Sequence, residues 1–340
     1  MEAQHTDSAL SSNDISTPES DREALTTEAD RRAVRLAELP FERITGRRAG
    51  FFRGLTSSVV EVFGQRELIG MLVGRQLKSR YKDSSLGFLW SLIRPLTMLL
   101  IYYVAIGQFL GAARGIPQFA IFVFTGLTLW GLFSEIVSSG TNSIVENAGL
   151  IKKVYLPREI FPLAAAGSAF VNFSIQFGVL VGAELVLQQF PLSWNLLYVP
   201  AAIVVAMIYA VALAILFSAL NVYLRDVQYL VEVGTQIFFW ASPIVYSWSF
   251  VVLAGTKTGL SWLVDVYLLN PVSTAILAFQ KGLWAAGSRS TQLGPTLVPP
   301  QPWPADLDQR LLVVALVGLV FLAIAQRVFA RLQGNFAQEI

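Results

Sequence analysis

The chain contains no cysteine and only one histidine, His5, among its 340 residues. The missing cysteine excludes disulfides and thiolate metal sites, and a lone histidine in a polar tail excludes histidine-based catalysis and histidine-rich metal centres. Charge is scarce as well: 14% of the residues are charged and 54% are hydrophobic, whereas a typical soluble domain has about 25% charged residues. This balance indicates an integral membrane protein that crosses the bilayer several times.

Signatures of nucleotide binding and of a secretory leader are also missing. The sequence has no G-x-x-x-x-G-K-[ST] and no G-x-S-x-G, so we expect neither a P-loop nor a nucleophile elbow in this chain. Its first 30 residues are polar and acidic, without an apolar stretch after a basic one. We predict a disordered acidic tail over residues 1–35 that stays in the cytoplasm.

Six apolar segments approach the roughly 20 residues that a bilayer-spanning helix needs. They are about 86–111, 118–139, 162–187, 197–220, 227–247 and 310–330. The predicted fold class is therefore an all-α integral membrane protein with six transmembrane helices. Leu260–Trp284 holds shorter apolar pieces interrupted at Asn270-Pro271, which is typical of re-entrant or interfacial helices, and residues 292–307 read as a proline-rich extended loop.

Lysine and arginine are concentrated before the first predicted span, after the second and at the chain end, whereas QQFPLSWN between the third and fourth carries no charge. The positive-inside rule then places both termini in the cytoplasm and the proline-rich loop outside. The cations that carry this assignment are Arg66, Arg75, Lys78, Arg80, Lys82, Lys152, Lys153, Arg158, Arg327 and Arg331.

Residues 66–82, within a cytoplasmic segment over 36–85, predict an amphipathic helix in the membrane surface. Its apolar row is Ile69, Val73, Leu77 and Tyr81, with Arg75, Lys78 and Lys82 nearly opposite. The pattern fits a plain positive-inside anchor, or a helix that contacts a cytoplasmic partner or anionic lipid. Arg94, two turns into the first span, either snorkels to the interface or marks a functional site.

The connection SIVENAGLIKKVYLPREIFP follows the second span and predicts a short helix over about 143–158. Ser143 and Glu146 have the spacing of a capping box, and Pro157 ends whatever helix continues. A helix tied to a span at each end suits the transmission of force. An ordinary connecting loop is the alternative interpretation.

Two acids are placed inside the predicted spans, Glu184 in the third and Glu232 in the fifth. Glu232 and Gln236 are one turn apart, so they fit the wall of a polar path or a proton relay; a carboxyl paired with a polar neighbour near the surface is the alternative. Aromatic rings suit stacking on sugars, but they also suit bundle packing and membrane interfaces. The channel-lining candidates are Tyr102, Tyr103, Trp130, Glu232, Gln236, Phe239 and Trp240.

Four motifs occur in order: RQLKSRYKDSSLGFLWSLIRPL, ENAGLIKKVYLPREIFPL, NVYLRDV and LLNPVSTAILAFQKGLW. Together they resemble the permease subunit of ABC-2 type exporters of cell-surface polysaccharides, the group that exports O-antigen, teichoic acid, galactan and related lipid-linked glycans. The resemblance covers about 61–335. The sequence departs from the family at Arg94, where an uncharged residue is expected, and at Gln280, where a basic residue is common.

The resemblance implies a transmembrane domain over 86–335, an amphipathic interface helix over 66–82, a coupling helix over 143–158 that inserts into an ATPase subunit, and short re-entrant helices over 248–284 before the last span. The implied coupling residues are Glu146, Asn147, Leu150, Lys152, Lys153, Tyr155 and Arg158. The implied interface and gate residues, whose cations would meet a diphosphate, are Arg75, Lys78, Arg80, Tyr81, Lys82 and Arg94.

By the same resemblance, two copies of the chain form the pore above two ABC ATPase subunits, which bind ATP and Mg²⁺, so this chain needs no cofactor or metal and is not itself an enzyme. The expected cargo is a polyprenyl-diphosphate-linked polysaccharide moved across the bacterial inner membrane, with membrane lipid as a further partner and no nucleic acid. Three alternatives stay open: an ABC-2 permease for a small hydrophobic drug or lipid, a proton-coupled secondary transporter, and a membrane glycosyltransferase using Glu232 with Asp226.

Overall fold

A computed structural model of the chain describes residues 64–81, 89–153, 156–260, 262–293 and 295–339. The predicted acidic tail over 1–35, and the part of the cytoplasmic segment before residue 64, lie outside these residues. The α-helices in chain order are α1 Arg66–Tyr81, α2 Trp90–Tyr102, α3 Phe119–Glu146, α4 Ala148–Ile151, α5 Ile160–Val186, α6 Tyr198–Tyr223, α7 Val227–Trp240, α8 Trp248–Lys257, α9 Trp262–Leu268, α10 Pro271–Leu283, α11 Leu307–Leu332 and α12 Phe336–Glu339.

Four of these helices are long and apolar enough to cross a membrane. They are α3, α5, α6 together with the 3₁₀ turn before it, and α11. They correspond to the second, third, fourth and sixth predicted spans, so these four predictions are confirmed. The helix α3 continues to Glu146, seven residues beyond the predicted end. Within this extension, Thr141 and Ser143 donate their hydroxyls to backbone carbonyls of α3, so these polar side chains are accommodated inside the helix.

The first and fifth predicted spans are shorter helices. α2 contains Pro95 and continues as a π-helical segment, Tyr103–Phe109. α7 has 14 residues, a length of about 21 Å, and ends at Trp240, so the predicted fifth span to residue 247 is too long. Pro243 lacks the backbone donor that a longer helix would need. Six spans remains a prediction beside the four long helices.

The segment before α11 folds into short helices and a hairpin. α9 and α10 bend by 86° at the predicted break, where the Asn270 side chain accepts a hydrogen bond from the Val272 backbone N–H at 3.0 Å and Pro271 begins α10. The re-entrant arrangement itself remains a prediction. The described residues of 292–307 are not simply a loop, because Thr291–Leu293 and Thr296–Val298 pair as antiparallel strands β1 and β2, with Gln292 opposite Leu297, and Leu307 already begins α11.

The helix α3 forms the centre of the bundle and packs against α5, α6, α7 and α10. It approaches α6 closely at Gly140, where a Cβ atom would lie 2.4 Å from the Ala214 Cβ. Trp284, completely buried after α10, donates its indole N–H to the Pro117 carbonyl at 2.9 Å and packs on the Phe122 ring. The α3–α6 pair and α10 therefore hold the N-terminal and C-terminal halves of the bundle together.

Candidate functional site

One end of the bundle, here called the basic end, combines α1, α4, the C-terminal ends of α3, α6 and α11, and the start of α5. Its side chains form an apolar cluster of their own, separate from the main core. The buried members are Leu72, Ile144, Ile151, Ile160, Phe161, Ala164, Ile215, Ala219, Val222, Phe329 and Phe336. Segments that are far apart in the sequence therefore share one small core at this end.

The helix predicted to begin at Ser143 begins at Ala148 instead. Ser143 lies inside α3, where its hydroxyl donates to the Gly140 carbonyl at 2.7 Å, so the capping-box interpretation is wrong. Asn147 ends α3 with φ −102° and ψ 17°, and its amide donates to the Ser143 carbonyl at 2.8 Å. The four residues of α4 follow directly. The predicted coupling segment, residues 143–158, is called the coupling segment below. Its described part contains the end of α3, a break at Asn147 and the single turn of α4.

The tip of the coupling segment is exposed and its base is anchored. Glu146, Lys152 and Lys153 are exposed, Leu150 is half-buried and Ile151 is buried in the basic-end cluster. Tyr155 lies outside the described residues. Lys152 and Lys153 directly follow α4, so these cations lie beside a turn that Ile151 anchors in the basic-end cluster.

The chain end closes over the base of the coupling segment. The Arg158 guanidinium lies 5.4 Å from the centre of the Phe336 ring, and Phe336 is completely buried. The buried carboxylate of Glu159 accepts a hydrogen bond from the Gln326 side chain of α11 at 2.9 Å. The C-terminal part of α11 and α12 therefore holds the start of α5 in place.

The helix α1 reaches the coupling segment directly. The Arg75 guanidinium donates a hydrogen bond to the Asn147 side-chain oxygen. Leu72, which is outside the predicted apolar row, is the most deeply buried residue of α1, and Val73 packs on α5 at Gly167. The apolar side of α1 is therefore covered in part by the bundle, contrary to a face directed only at lipid.

The other predicted interface residues have mixed outcomes. Lys78 is exposed on α1. The Arg80, Tyr81 and Arg94 side chains and all of Lys82 lie outside the described part of the chain. Their roles remain predictions.

Three of the channel-lining candidates meet inside the bundle. The Phe239 ring centre lies 5.9 Å from that of Tyr102 and 5.7 Å from that of Trp130. Trp240 packs edge-on against Phe239 but is half exposed, and Tyr103 is exposed as well. The three clustered rings pack against one another and join α2, α3 and α7. We call this cluster the aromatic contact. For these three rings the structure favours bundle packing over stacking on sugars.

The two acids named from the sequence are in opposite environments. Glu232 lies with Gln236 on the more exposed side of α7. Glu184 is completely buried in α5, and neither of its carboxylate oxygens has a hydrogen-bond partner among the described residues. The structure does not bring the two acids together.

A third acid within the spans, Glu135, was missed in the sequence interpretation. It lies in the middle of α3 and accepts a hydrogen bond from the buried Asn172 side chain of α5 at 2.7 Å. The signal was present, because a single glutamate in an apolar stretch of this length indicates a functional or structural role.

The opposite end of the bundle, the hairpin end, is held by polar contacts. Lys281 of α10 donates to the Tyr198 hydroxyl at 2.9 Å, and that hydroxyl bonds to Asp308 of α11. Arg310 pairs with Asp306 at 2.7 Å, and this guanidinium holds the pKa of the Asp306 carboxyl below its usual range. The contacts of Lys281, Tyr198 and Asp308 join α10 to α6 and α11.

The sequence of the chain matches the family model described as ABC-2 type transporter over residues 67–284, more than half of its length. The chain belongs to this family. It is 28% identical, over 65% of its length and 82% of the relative's, to a protein of Myxococcus xanthus named O-antigen export system permease protein RfbA. A Klebsiella pneumoniae protein of the same name is 30% identical over 63% of this chain and 79% of its own length.

A shorter match links this ABC-2 transporter chain to a Neisseria meningitidis protein named capsule polysaccharide export inner-membrane protein CtrC, 35% identical over 26% of this chain and 33% of that protein. The family region runs from α1 to the end of α10, so it includes the coupling segment and the aromatic contact. The chain is accordingly a multi-pass membrane protein of the ABC-2 class.

One departure from the pattern expected for ABC-2 permeases now has a structural reason. Gln280 is almost completely buried in α10, and its amide donates to the Pro243 carbonyl at 2.8 Å. A lysine or arginine here would bring a charge into a site that holds one neutral hydrogen bond. The uncharged residue fits the closed packing between α10 and the segment after α7.

Proposed function

We propose that this chain is the transmembrane subunit of an ATP-driven exporter that moves a polyprenyl-diphosphate-linked polysaccharide across the bacterial inner membrane. In this proposal two copies of the chain form the pore and two ABC ATPase subunits bind ATP and Mg²⁺ beneath it. The observation that carries the proposal is the family match from α1 to α10 together with relatives named for O-antigen and capsule polysaccharide export.

The basic end supports a role in receiving force from an ATPase. The exposed Lys152 and Lys153 project from a turn whose buried base, Ile151, belongs to the same cluster as residues of α1, α5, α6 and α11. A displacement of this turn is therefore passed to several helices at once, as in rigid-body switching of packed elements. Arg75 extends the connection to α1 through Asn147.

We place the diphosphate of the cargo near the cations at the basic end, since guanidinium and ammonium groups bind phosphate oxygens strongly. Arg75 and Lys78 of α1 are exposed there. Arg80, Lys82 and Arg94 belong to the same proposed gate by their position in the sequence. The aromatic candidates that remain exposed, Tyr103 and Trp240, are the rings best placed for contact with sugars.

A second candidate function is export of a small hydrophobic drug or lipid. The observation that favours it is an apolar cleft of about 570 Å³ between α8 and α9 at the hairpin end. Its lining includes Phe250, Leu263 and Tyr267. We rank this function second because the relatives are named for polysaccharide export.

Depletion of the protein in its host tests the leading proposal. We expect lipid-linked glycans to accumulate on the cytoplasmic side within a few generations, because synthesis continues while export stops. Lipid extraction with glycan analysis measures the total pool, and glycosidase digestion of intact against lysed spheroplasts measures the share that stays inside. Unchanged glycan pools, with new sensitivity to hydrophobic compounds, would reject the polysaccharide cargo in favour of the second candidate.

Reporter fusions test the proposed orientation, with both termini in the cytoplasm. A reporter inserted after Asn195, in the uncharged turn before α6, and one near Gly294 in the proline-rich loop should both report the extracytoplasmic side. A reporter at Gly149, next to the exposed lysines, is the matched cytoplasmic control. A cytoplasmic signal from either outer position would reverse the topology.

A further inference from the structure

The helix α3 leaves one face incompletely covered between Leu127 and Glu146. The residues that keep some exposure are Leu127, Gly131, Ser134, Glu135, Ser138, Ser139, Asn142, Val145 and Glu146. At 3.6 residues per turn they fall within an arc of about 140° on one side of the helix. Seven of the nine are glycine or polar, whereas most of the buried residues of α3 are apolar. We call this set the polar face of α3.

Lipid does not suit this face. In the middle of α11, from Leu312 to Ile324, the exposed side chains are all apolar, for example Leu316 and Val320. Ser134 and Ser139 donate their hydroxyls to the Gly131 and Glu135 carbonyls of α3, but a carboxylate or amide beside hydrocarbon still loses water that a single neighbour does not replace. Polar residues within spans therefore face other protein or a water-filled cavity. The difference between α11 and α3 therefore separates a lipid-facing helix from one that faces something polar.

The neighbouring helices supply buried amide partners to two residues of this face. Asn172 of α5 donates to Glu135 at 2.7 Å, and Asn221 of α6 donates to the Asn142 side chain at 3.2 Å. The Gln176 side-chain oxygen of α5 lies 3.7 Å from the position that a Cβ on Gly131 would take. The polar groups of α3 are thus bordered by further amides, and glycine leaves room beside them.

The polar face connects two places already described. Its lower end is Glu146, next to the coupling segment, and its upper polar end is Gly131, directly after Trp130 of the aromatic contact. The steps between them, about 15 residues at 1.5 Å each, span about 22 Å, which is a large part of the hydrocarbon thickness of a bilayer. The face is therefore long enough to act as a track rather than as a single site.

We propose that the polar face of α3 is one wall of a water-filled path that takes a hydroxyl-rich chain, which is to say carbohydrate. Serine hydroxyls and side-chain amides donate and accept hydrogen bonds with sugar hydroxyls, and the carboxylate of Glu135 accepts them. Each such bond replaces a bond to water and gains little on balance, so a chain is guided but not trapped. The inference rests on the proposed export function and names new residues for it: Ser134, Glu135, Ser138, Ser139 and Asn142.

The absence of cysteine in the chain gives a direct test. Single variants Ser134→Cys and Ser139→Cys introduce one thiol each into the intact permease–ATPase complex in membranes. A charged, membrane-impermeant methanethiosulfonate reagent reacts with thiolates, which form in water and not in lipid. We expect both cysteines to react at least about tenfold faster than Leu316→Cys, whose position is 55% exposed on the lipid-facing side of α11.

Two controls complete the comparison. Ser218→Cys places a thiol at a completely buried position of α6, and it should stay unreacted. Val204→Cys, at a position 54% exposed on α6, is a second lipid-facing control in case one variant does not fold. If the Ser134 and Ser139 variants react as slowly as these controls, the face is covered by a second copy or by lipid, and the proposal is wrong.

The carbohydrate part has its own readout. Membranes from cells that make the lipid-linked glycan should show labelling slowed several-fold at Ser134→Cys relative to membranes from cells that cannot make it. A soluble, short-chain thiol reagent should be slowed less than a bulky one. Fast labelling that the glycan does not change would reject the carbohydrate wall, while accumulation of glycan on depletion would still support the export function by itself.

Discussion

Replacement of Lys152, Lys153 and Tyr155 together by alanine is expected to reduce ATP-dependent export to background while the permease remains folded in the membrane. Lys152 and Lys153 are exposed, so their loss removes no core contact. Surface substitutions of this kind change stability by about 0.5 kcal/mol or less. Export of the lipid-linked cargo and ATP hydrolysis by the reconstituted complex measure the two halves of this prediction.

The matched control removes two cations from the other end of the bundle. Lys257 and Arg289 are exposed near the hairpin end, and the double variant Lys257→Ala/Arg289→Ala should keep export near the wild-type rate. Lys152→Arg/Lys153→Arg should also retain most export, because both charges stay on the same rigid turn. Unchanged ATP-dependent export in the triple variant would remove the coupling assignment from this segment.

We expect a large loss of export because the turn that carries the two lysines is connected to several helices. Its four-residue helix α4 is held by Ile151 in the basic-end cluster, and Arg75 joins α1 to Asn147 at the end of α3. In the proposed mechanism, a push on Lys152 and Lys153 would be transmitted to α1 and to α3. The polar face of α3 begins at the same place, so the proposed cargo path and the proposed coupling segment share one helix end.

Composition and hydropathy were sufficient for the long helices. The spans α3, α5, α6 and α11 appear in the sequence as apolar runs of adequate length, and Asn270-Pro271 marks the break that begins α10. Hydropathy alone did not show the end of α7, because Ala241 to Tyr246 is largely apolar without being helical; Pro243 was the sequence signal for it. Hydropathy measures how readily side chains enter an apolar environment. It therefore does not distinguish a helix from irregular backbone that has the same side chains.

The sequence predicted the candidate site only where the functional residues are neighbours along the chain. The paired lysines mark the tip of the coupling segment, but its helix start was wrong because Ser143 and Glu146 have capping spacing inside an unbroken helix. Contacts between distant residues could not be predicted: Arg75 and Asn147 are 72 positions apart. Such pairs depend on how the helices pack. A single sequence gives the type of each side chain but not which helices lie next to one another.

The second large effect is expected from Gly140→Leu, at the crossing of α3 and α6. A Cβ at this position would lie 2.4 Å from the Ala214 Cβ and 3.2 Å from its Cα, so α3 and α6 would have to separate. Small residues at helix crossings allow this close approach, and filling them removes the packing on both sides. We expect a loss of about 3 kcal/mol or more, seen as a thermal midpoint in detergent lower by about 5 °C or more.

Gly178→Leu is the matched control, because a Cβ at Gly178 of α5 meets nothing within 4 Å. The same substitution there should leave the thermal midpoint unchanged or slightly raised, since leucine favours a helix over glycine by about 0.8 kcal/mol. Gly140→Ala should give an intermediate loss, because Cβ alone makes the contact. If Gly140→Leu unfolds at the wild-type temperature, α3 and α6 do not cross at this point, and the polar face of α3 would be directed elsewhere in the bundle.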